Sequence, residues 1–258
     1  MNVHGLKPGK RAVVVGSGDI GLIIARRMAL EGIDVRGIYE IRPYPGGLRR
    51  NMRSVEQFSI PIYLSRSVYR ITGYPRVTGV YTVQYDSNMK PIPGTEEFIE
   101  CDTVVLSVGL RPDVDILMDA GAEIDPITRG AVVDSRYMTS LDGVFAAGNC
   151  VHINDLVDNV AMEGRIAGKW AARYAYGERW KAEYRIKPGG DLAYTVPQRA
   201  VEGDVVTIWG RVKRPIDEGT ITIKGKGLMA KMKDMRPSEM ISIKDVRVDS
   251  HLEVVISG

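Results

Sequence analysis

The 258-residue sequence predicts an α/β protein that ends in a small all-β domain. Three observations carry that prediction. A β-branched strand near the N-terminus runs into a glycine cluster and then a helical pattern, and a second strand of parallel-sheet character follows at Thr103–Val108. Beyond residue 187 helical periodicity gives way to short strands separated by turn residues.

Arg11-Ala-Val-Val-Val15 is the first strand, and Asp19 to Leu30 is the helix that follows, with apolar positions at Ile20, Ile23, Ile24 and Met28. Gly32 ends that helix as a left-handed cap. Ile33 to Tyr39 is the next strand, which completes a strand-helix-strand unit, and Arg42-Pro-Tyr-Pro-Gly-Gly47 is a loop. Arg49 to Phe58 reads as a helix leading into a strand near Ile60 to Leu64, and residues 67–99 alternate around turns as an antiparallel meander.

Thr103-Val-Val-Leu-Ser-Val108 is a continuous apolar run of the kind buried on both faces of a parallel sheet, and Gly143 to Ala147 has similar character. A helix is expected from Asp155 to Tyr176, capped by Asn154 or Asp155 and lined by Ala161, Gly164 and Gly168. Lys187-Pro-Gly-Gly190 breaks the pattern. Val205 to Trp209, Thr220 to Ile223, Met240 to Ile243 and Leu252 to Ile256 then form a small β-sandwich or barrel.

Hydrophobic residues at 44% and charged residues at 26% exclude disordered, collagen-like and disulfide-scaffold classes. The net charge of +3 is spread along the chain without a basic tract, which argues against nucleic acid as a partner. No apolar run reaches the roughly 20 residues that cross a bilayer, and Met1 to Arg11 has no signal-peptide core, so a cytoplasmic location without a membrane span is expected. Cys101 and Cys150 lie far apart with no CxxC spacing, so they read as free thiols, and no metal site is expected.

Gly16-Ser17-Gly18-Asp19-Ile20-Gly21 is a GxGxxG fingerprint in the setting that gives it meaning, after a strand and opening a helix. The first glycine allows the tight turn and the second lets a pyrophosphate approach the backbone at a helix N-terminus. The third lets the helix pack closely on the strand. Glu40 stands 19 residues beyond the last glycine (40 − 21), where a carboxylate accepts hydrogen bonds from an adenosine ribose and repels a 2′-phosphate. NAD is therefore expected as cofactor, on Gly16 to Gly21 and on Glu40, Ile41 and Arg42. Arg42, Arg49 and Arg50 keep NADP open. The first 110 residues are accordingly assigned to a Rossmann-like NAD(H)-binding domain.

From Gly9 to Tyr176 the chain resembles flavoproteins with two dinucleotide-binding domains, the pyridine-nucleotide-dependent oxidoreductases akin to glutathione reductase and NADH oxidases. Ser107-Val-Gly109-Leu-Arg-Pro112 is similar to the segment by which that family returns to its flavin part. Thr139-Ser-Leu-Asp-Gly-Val-Phe-Ala-Ala-Gly148-Asn149 is similar to its closing turn, with Asn149 where Asp is usual. The resemblance implies that residues 111–186 are the C-terminal part of an FAD-binding domain and residues 187–258 a separate β domain. It implies a nicotinamide near Val108 and Gly109, a flavin ribityl chain at Gly148 and Asn149, and hydride transfer between the two cofactors, with no side chain named as catalytic.

Two departures from the family shape the expected partners. The N-terminal fingerprint for the FAD pyrophosphate has no counterpart before residue 11, so a second protein chain is expected to supply that half, in a hetero- or homo-oligomer, unless the chain is a fragment of a longer one. The redox cysteine pair of the disulfide reductases is missing as well, and Ile23 replaces their Glu after the fingerprint. The Asn form of the turn, followed by His152 and Asp155-Leu-Val-Asp158, resembles subunits that accompany glycerol-3-phosphate, proline or sarcosine dehydrogenase-like flavoproteins.

Two other function classes remain. A flavin-free NAD-dependent dehydrogenase is one, although none of the twelve tyrosines has a lysine four residues later. A non-catalytic NAD(H)-binding or assembly subunit is the other. His152 reads as a packed or capping residue, Asp155 and Asp158 as complements to a helix dipole, and Met229, Met232 and Met235 as core or interface.

Overall fold

The structure, a computed structural model, describes residue 1 and residues 3–258, with only the backbone of Leu228. The residues group into two compact units, Met1–Gly109 and Leu110–Gly258.

In the first unit β1 (Arg11–Val15) lies inside a parallel sheet of order β3-β2-β1-β7, with β2 at Asp34–Tyr39, β3 at Ile62–Tyr63 and β7 at Thr103–Leu106. Alternation along β1 sends Ala12 and Val14 to one face, where they pack with Leu22, Ala25 and Met28 of α1 (Asp19–Leu30). Val13 and Val15 go to the other face, against Tyr39, Val80 and Cys101. A β-branched strand buried on both sides is what the continuous apolar run encodes.

The buried stripe of α1 is Gly21, Leu22, Ala25 and Met28, while Ile20 and Ile23 are exposed at 67% and 47%. The expected apolar face is thus rotated, because close packing of Gly21 on the strand sets the helix's orientation. Likewise β7 is the edge strand of this sheet, so the expected burial on both faces holds only at Thr103, and Leu106 is 66% exposed. The meander appears as the antiparallel sheet β4 (Arg66–Thr72), β5 (Gly79–Gln84) and β6 (Glu97–Glu100). The helix α2 spans Arg49–Glu56.

The second unit begins with the short α3 (Asp115–Asp119) and an irregular stretch that reaches a 3-10 turn at Gly148–Cys150. The strand expected at Gly143 to Ala147 is reduced to a single bridge between Met138 and Phe145, because the left-handed Gly143 (φ +75°) turns the chain back on itself after only a few residues. The helix α4 spans Val157–Ala175. Its N-cap is Leu156, with no side-chain cap, so neither Asn154 nor Asp155 caps it.

Five strands follow in the order β12-β11-β14-β8-β9: β8 Tyr184–Gly190, β9 Arg199–Ala200, β11 Ile216–Ile223, β12 Gly227–Met235 and β14 Leu252–Ser257. β10 (Val205–Gly210) and β13 (Ile241–Arg247) pair separately. One core cluster lies among these strands, around Ile186, Ile208, Ile221 and Ile256. A second joins Val133, Tyr137, Val151 and Ala167 to Tyr194, Val196 and Trp209. Arg136 lies over the Trp170 ring at 3.7 Å and forks onto Asp204 at 3.0 Å, and Trp180 closes an aromatic group with Phe145, Trp170 and Tyr174.

Candidate functional site

The fingerprint turn shows three glycines retained for three different reasons. Gly16 has φ +97°, and a Cβ there would collide with the Ser107 carbonyl oxygen at the end of β7. A Cβ on Gly21 would collide with the Gly16 carbonyl, so α1 packs on the strand only without a side chain at that position. Gly18, the N-cap of α1, has φ −64° and ψ 168°, and a Cβ there would meet no protein atom within 4 Å. Nothing in the chain's own packing requires glycine at position 18. The open face beside it, at a helix N-terminus, fits the backbone approach of a pyrophosphate.

Glu40, at the end of β2, faces this turn and is 8% exposed. Its Oε2 accepts from the Ser17 N–H at 3.0 Å and from the Ser17 hydroxyl at 2.6 Å, while Oε1 accepts from the Arg42 N–H at 3.0 Å. Ser17 is fully buried, and its Oγ also accepts the Gly46 N–H at 2.9 Å. The Gly47 N–H donates to the Ser17 carbonyl at 2.8 Å. Asp19 accepts the Leu48 N–H at 2.9 Å and the Asn51 amide at 2.6 Å, so the loop after β2 is fastened along the whole fingerprint. Ile41 is half-buried and Arg42 exposed. Ile20 is exposed at the mouth of the turn, as are Val108 (71%) and Gly109, which follow Ser107 at the end of β7.

The second unit holds Gly148 and Asn149. Gly148 is buried with φ +72°, and its N–H donates to Glu163 Oε2 at 2.7 Å. The other oxygen of Glu163 lies 2.7 Å from His152 Nε2, with both side chains 1% exposed or less. His152 is thus a packed residue. Asn149 is exposed, and its Oδ1 accepts the Asn154 N–H at 3.0 Å. Burial pushes the Tyr137 hydroxyl well above its ordinary range, and the neighbouring Glu163 adds to the shift.

Asp158 lies in the first turn of α4, where it complements the helix dipole. Asp155 lies before the helix and instead pairs with Arg211 and accepts the Met240 N–H at 2.6 Å. Sequence reasoning passed over Glu163. Its signal was a lone carboxylate on the same helical stripe as the buried Ala167.

No group of side chains with metal-binding potential occurs among the described residues, and none of their helices is long and apolar enough to cross a membrane. Cys101 is buried and Cys150 half-buried, both as free thiols, and burial pushes the Cys101 thiol up.

A fingerprint turn with an open second glycine and a carboxylate at the end of the next strand defines a dinucleotide-binding α/β protein. The family model of pyridine nucleotide-disulphide oxidoreductases matches residues 2–165, and the chain belongs to that family. It is 27% identical over 62% of its length to an NADH oxidase of Methanocaldococcus jannaschii, of which it covers 36%. It is 28% identical over 64% of its length to a glutamate synthase [NADPH] small chain of Halomonas elongata, of which it covers 38%. Among solved structures it is similar to T. acidophilum thioredoxin reductase, with TM-score 0.56 and 31% identity, over 65% of this chain and 53% of that one. The chain thus spans well under half of the curated relatives named here and about half of the structural one.

Proposed function

We propose that this chain is an NAD(H)-dependent flavin oxidoreductase, or the nucleotide-binding part of one, that works with FAD and prefers NAD(H) to NADP(H). The observation that carries the reading is Gly18, the second glycine of the GxGxxG turn at the N-terminus of α1, which leaves open space for a pyrophosphate in a turn fastened to Glu40. A bound nicotinamide and flavin would supply the hydride donor and acceptor, so the chain's work is binding and orientation. Gly16 to Gly21 would hold the pyrophosphate, and Glu40 would receive the adenosine ribose on Oε1, the oxygen with acceptor capacity left. Gly148 shapes the turn that presents Asn149, whose exposed amide would meet a ribityl hydroxyl.

The rest of the flavin site would come from a second chain in a larger dehydrogenase complex, or from a further part of the same polypeptide. Leu106 and Val108, apolar and exposed at the end of β7, support a surface that another segment covers.

The test is the visible absorbance of the purified chain, alone and copurified with its partners, followed by anaerobic titration with NADH. Flavin bands that bleach on addition of NADH support the reading. NADH binding with no flavin in any preparation would reduce the chain to a nucleotide-binding subunit. Gly18→Val is expected to abolish NADH binding while leaving the far-UV circular dichroism unchanged, and unaltered affinity would remove the fingerprint from the site.

A further inference from the structure

Ser17 is the non-glycine residue most deeply embedded in the nucleotide site. It is fully buried, and its hydroxyl both donates to Glu40 Oε2 at 2.6 Å and accepts from the Gly46 N–H at 2.9 Å. Together with the Ser17 N–H, that hydroxyl gives Oε2 two donors, whereas Oε1 has only the Arg42 N–H. The Ser17 backbone and side chain together leave Oε1 with the spare acceptor capacity, and the hydroxyl fastens the loop after β2 to the fingerprint at Gly46.

Gly46 shows the second effect. It is buried, and the nearest atoms to a Cβ built on it would be the Gly18 backbone at 3.8 Å and the Ser17 carbonyl at 3.9 Å, ordinary van der Waals distances. Like Gly18, Gly46 is a glycine that the protein's own packing tolerates replacing. A methyl group at 46 would stand against the Gly18 backbone at contact distance, without overlap.

We propose that Ser17 is a positioning residue that sets dinucleotide choice: it clips Glu40 and the Gly46 amide together, making residues 42–48 the second wall of the nucleotide site. This rests on the dinucleotide reading of the fingerprint. With the clip in place the Glu40 carboxylate is held in one orientation toward a ribose 2′ position, where a phosphate would be repelled. Without the hydroxyl, the Ser17 and Arg42 N–H groups still engage the carboxylate, but Oε2 loses its shortest donor and the Gly46 amide its acceptor, so Glu40 is held less tightly and the loop is loosened at Gly46. The clip therefore favours NADH and opposes NADPH.

The experiment is titration of the 258-residue chain with NADH and with NADPH, following nicotinamide fluorescence, for the native sequence and for Ser17→Ala and Gly46→Ala. Ser17→Ala is expected to weaken NADH several-fold, because the Glu40 carboxylate that would meet the ribose is held less tightly, and NADPH by much less, so the preference ratio falls. Simple destabilisation would weaken both nucleotides alike and leave the ratio in place. Gly46→Ala is expected to weaken both nucleotides with native circular dichroism. An unchanged ratio in a folded Ser17→Ala variant overturns the inference and leaves the dinucleotide reading standing. If Ser17→Ala does not fold, Gly46→Ala decides, and unaltered affinities for both nucleotides overturn the second wall. A native chain that binds neither nucleotide, or prefers NADPH, removes the reading and the inference together.

Discussion

The three fingerprint glycines are chemically identical, and their neighbours make them respond differently to the same substitution. Alanine at Gly16 or Gly21 forces a Cβ into a backbone carbonyl, at an expected cost of roughly 2–3 kcal/mol in urea unfolding. Alanine at Gly18 enters open space with an ordinary φ, and its gain through the unfolded state is offset by the poorer N-cap it gives α1, so unfolding stability is expected to change by less than about 0.5 kcal/mol while dinucleotide binding weakens. A variant that keeps its stability and loses ligand separates the second glycine from the other two. A second residue-scale prediction concerns Asp134. It is 4% exposed, and burial raises its carboxyl above the ordinary value despite hydrogen bonds from Trp180, Arg136 and Met138. A carboxyl raised on folding contributes stability that is complete below its unfolded value and is lost as pH rises through the folded one. The stability of the native chain relative to Asp134→Asn should therefore fall as pH is raised from about 4, by about 1.4 kcal/mol for each pH unit by which folding raises that value, and then level off.

At the scale of elements, α4 depends on one glutamate. Glu163 joins the helix to the Gly148 amide and to His152 in a site with almost no solvent. Glu163→Ala would leave His152 buried without its partner and the Gly148 amide without its acceptor, and should lower unfolding stability by about 3 kcal/mol. Glu163→Gln, which keeps an acceptor for the amide, should recover part of the loss. The contrast with α1 explains what the sequence made legible. The strand, turn and helix of the fingerprint are local, and each glycine acts on atoms within a few residues or on the neighbouring strand end, so spacing alone located them. The meander and the β-rich end were legible for the same reason, through turn residues and alternation. Glu163 and Gly148 meet only because the chain after the 3-10 turn folds back along the helix. The loop that Ser17 holds is closed by hydrogen bonds across 29 residues, and no periodicity reports such contacts. The face of α1 was misjudged because Ile20 and Ile23 look like core residues, whereas the close approach at Gly21 sets the helix's rotation.

At the scale of the whole molecule, the two units carry different parts of the proposed chemistry, which amide hydrogen exchange can separate. NADH should slow exchange at residues 15–22 and 40–48 of the first unit. Strong protection confined instead to residues 148–163 would place the nucleotide in the second unit and contradict the fingerprint assignment. The tryptophans add a further means of observation. All three, Trp170, Trp180 and Trp209, belong to the second unit, while the proposed nicotinamide site belongs to the first. Indole emission overlaps the absorption of reduced nicotinamide, so the native chain already contains an energy-transfer donor set confined to one body, and NADH at the proposed site would supply the acceptor in the other. Quenching of that emission during titration would report the separation of the two bodies in solution, without a dye, a label or an engineered cysteine.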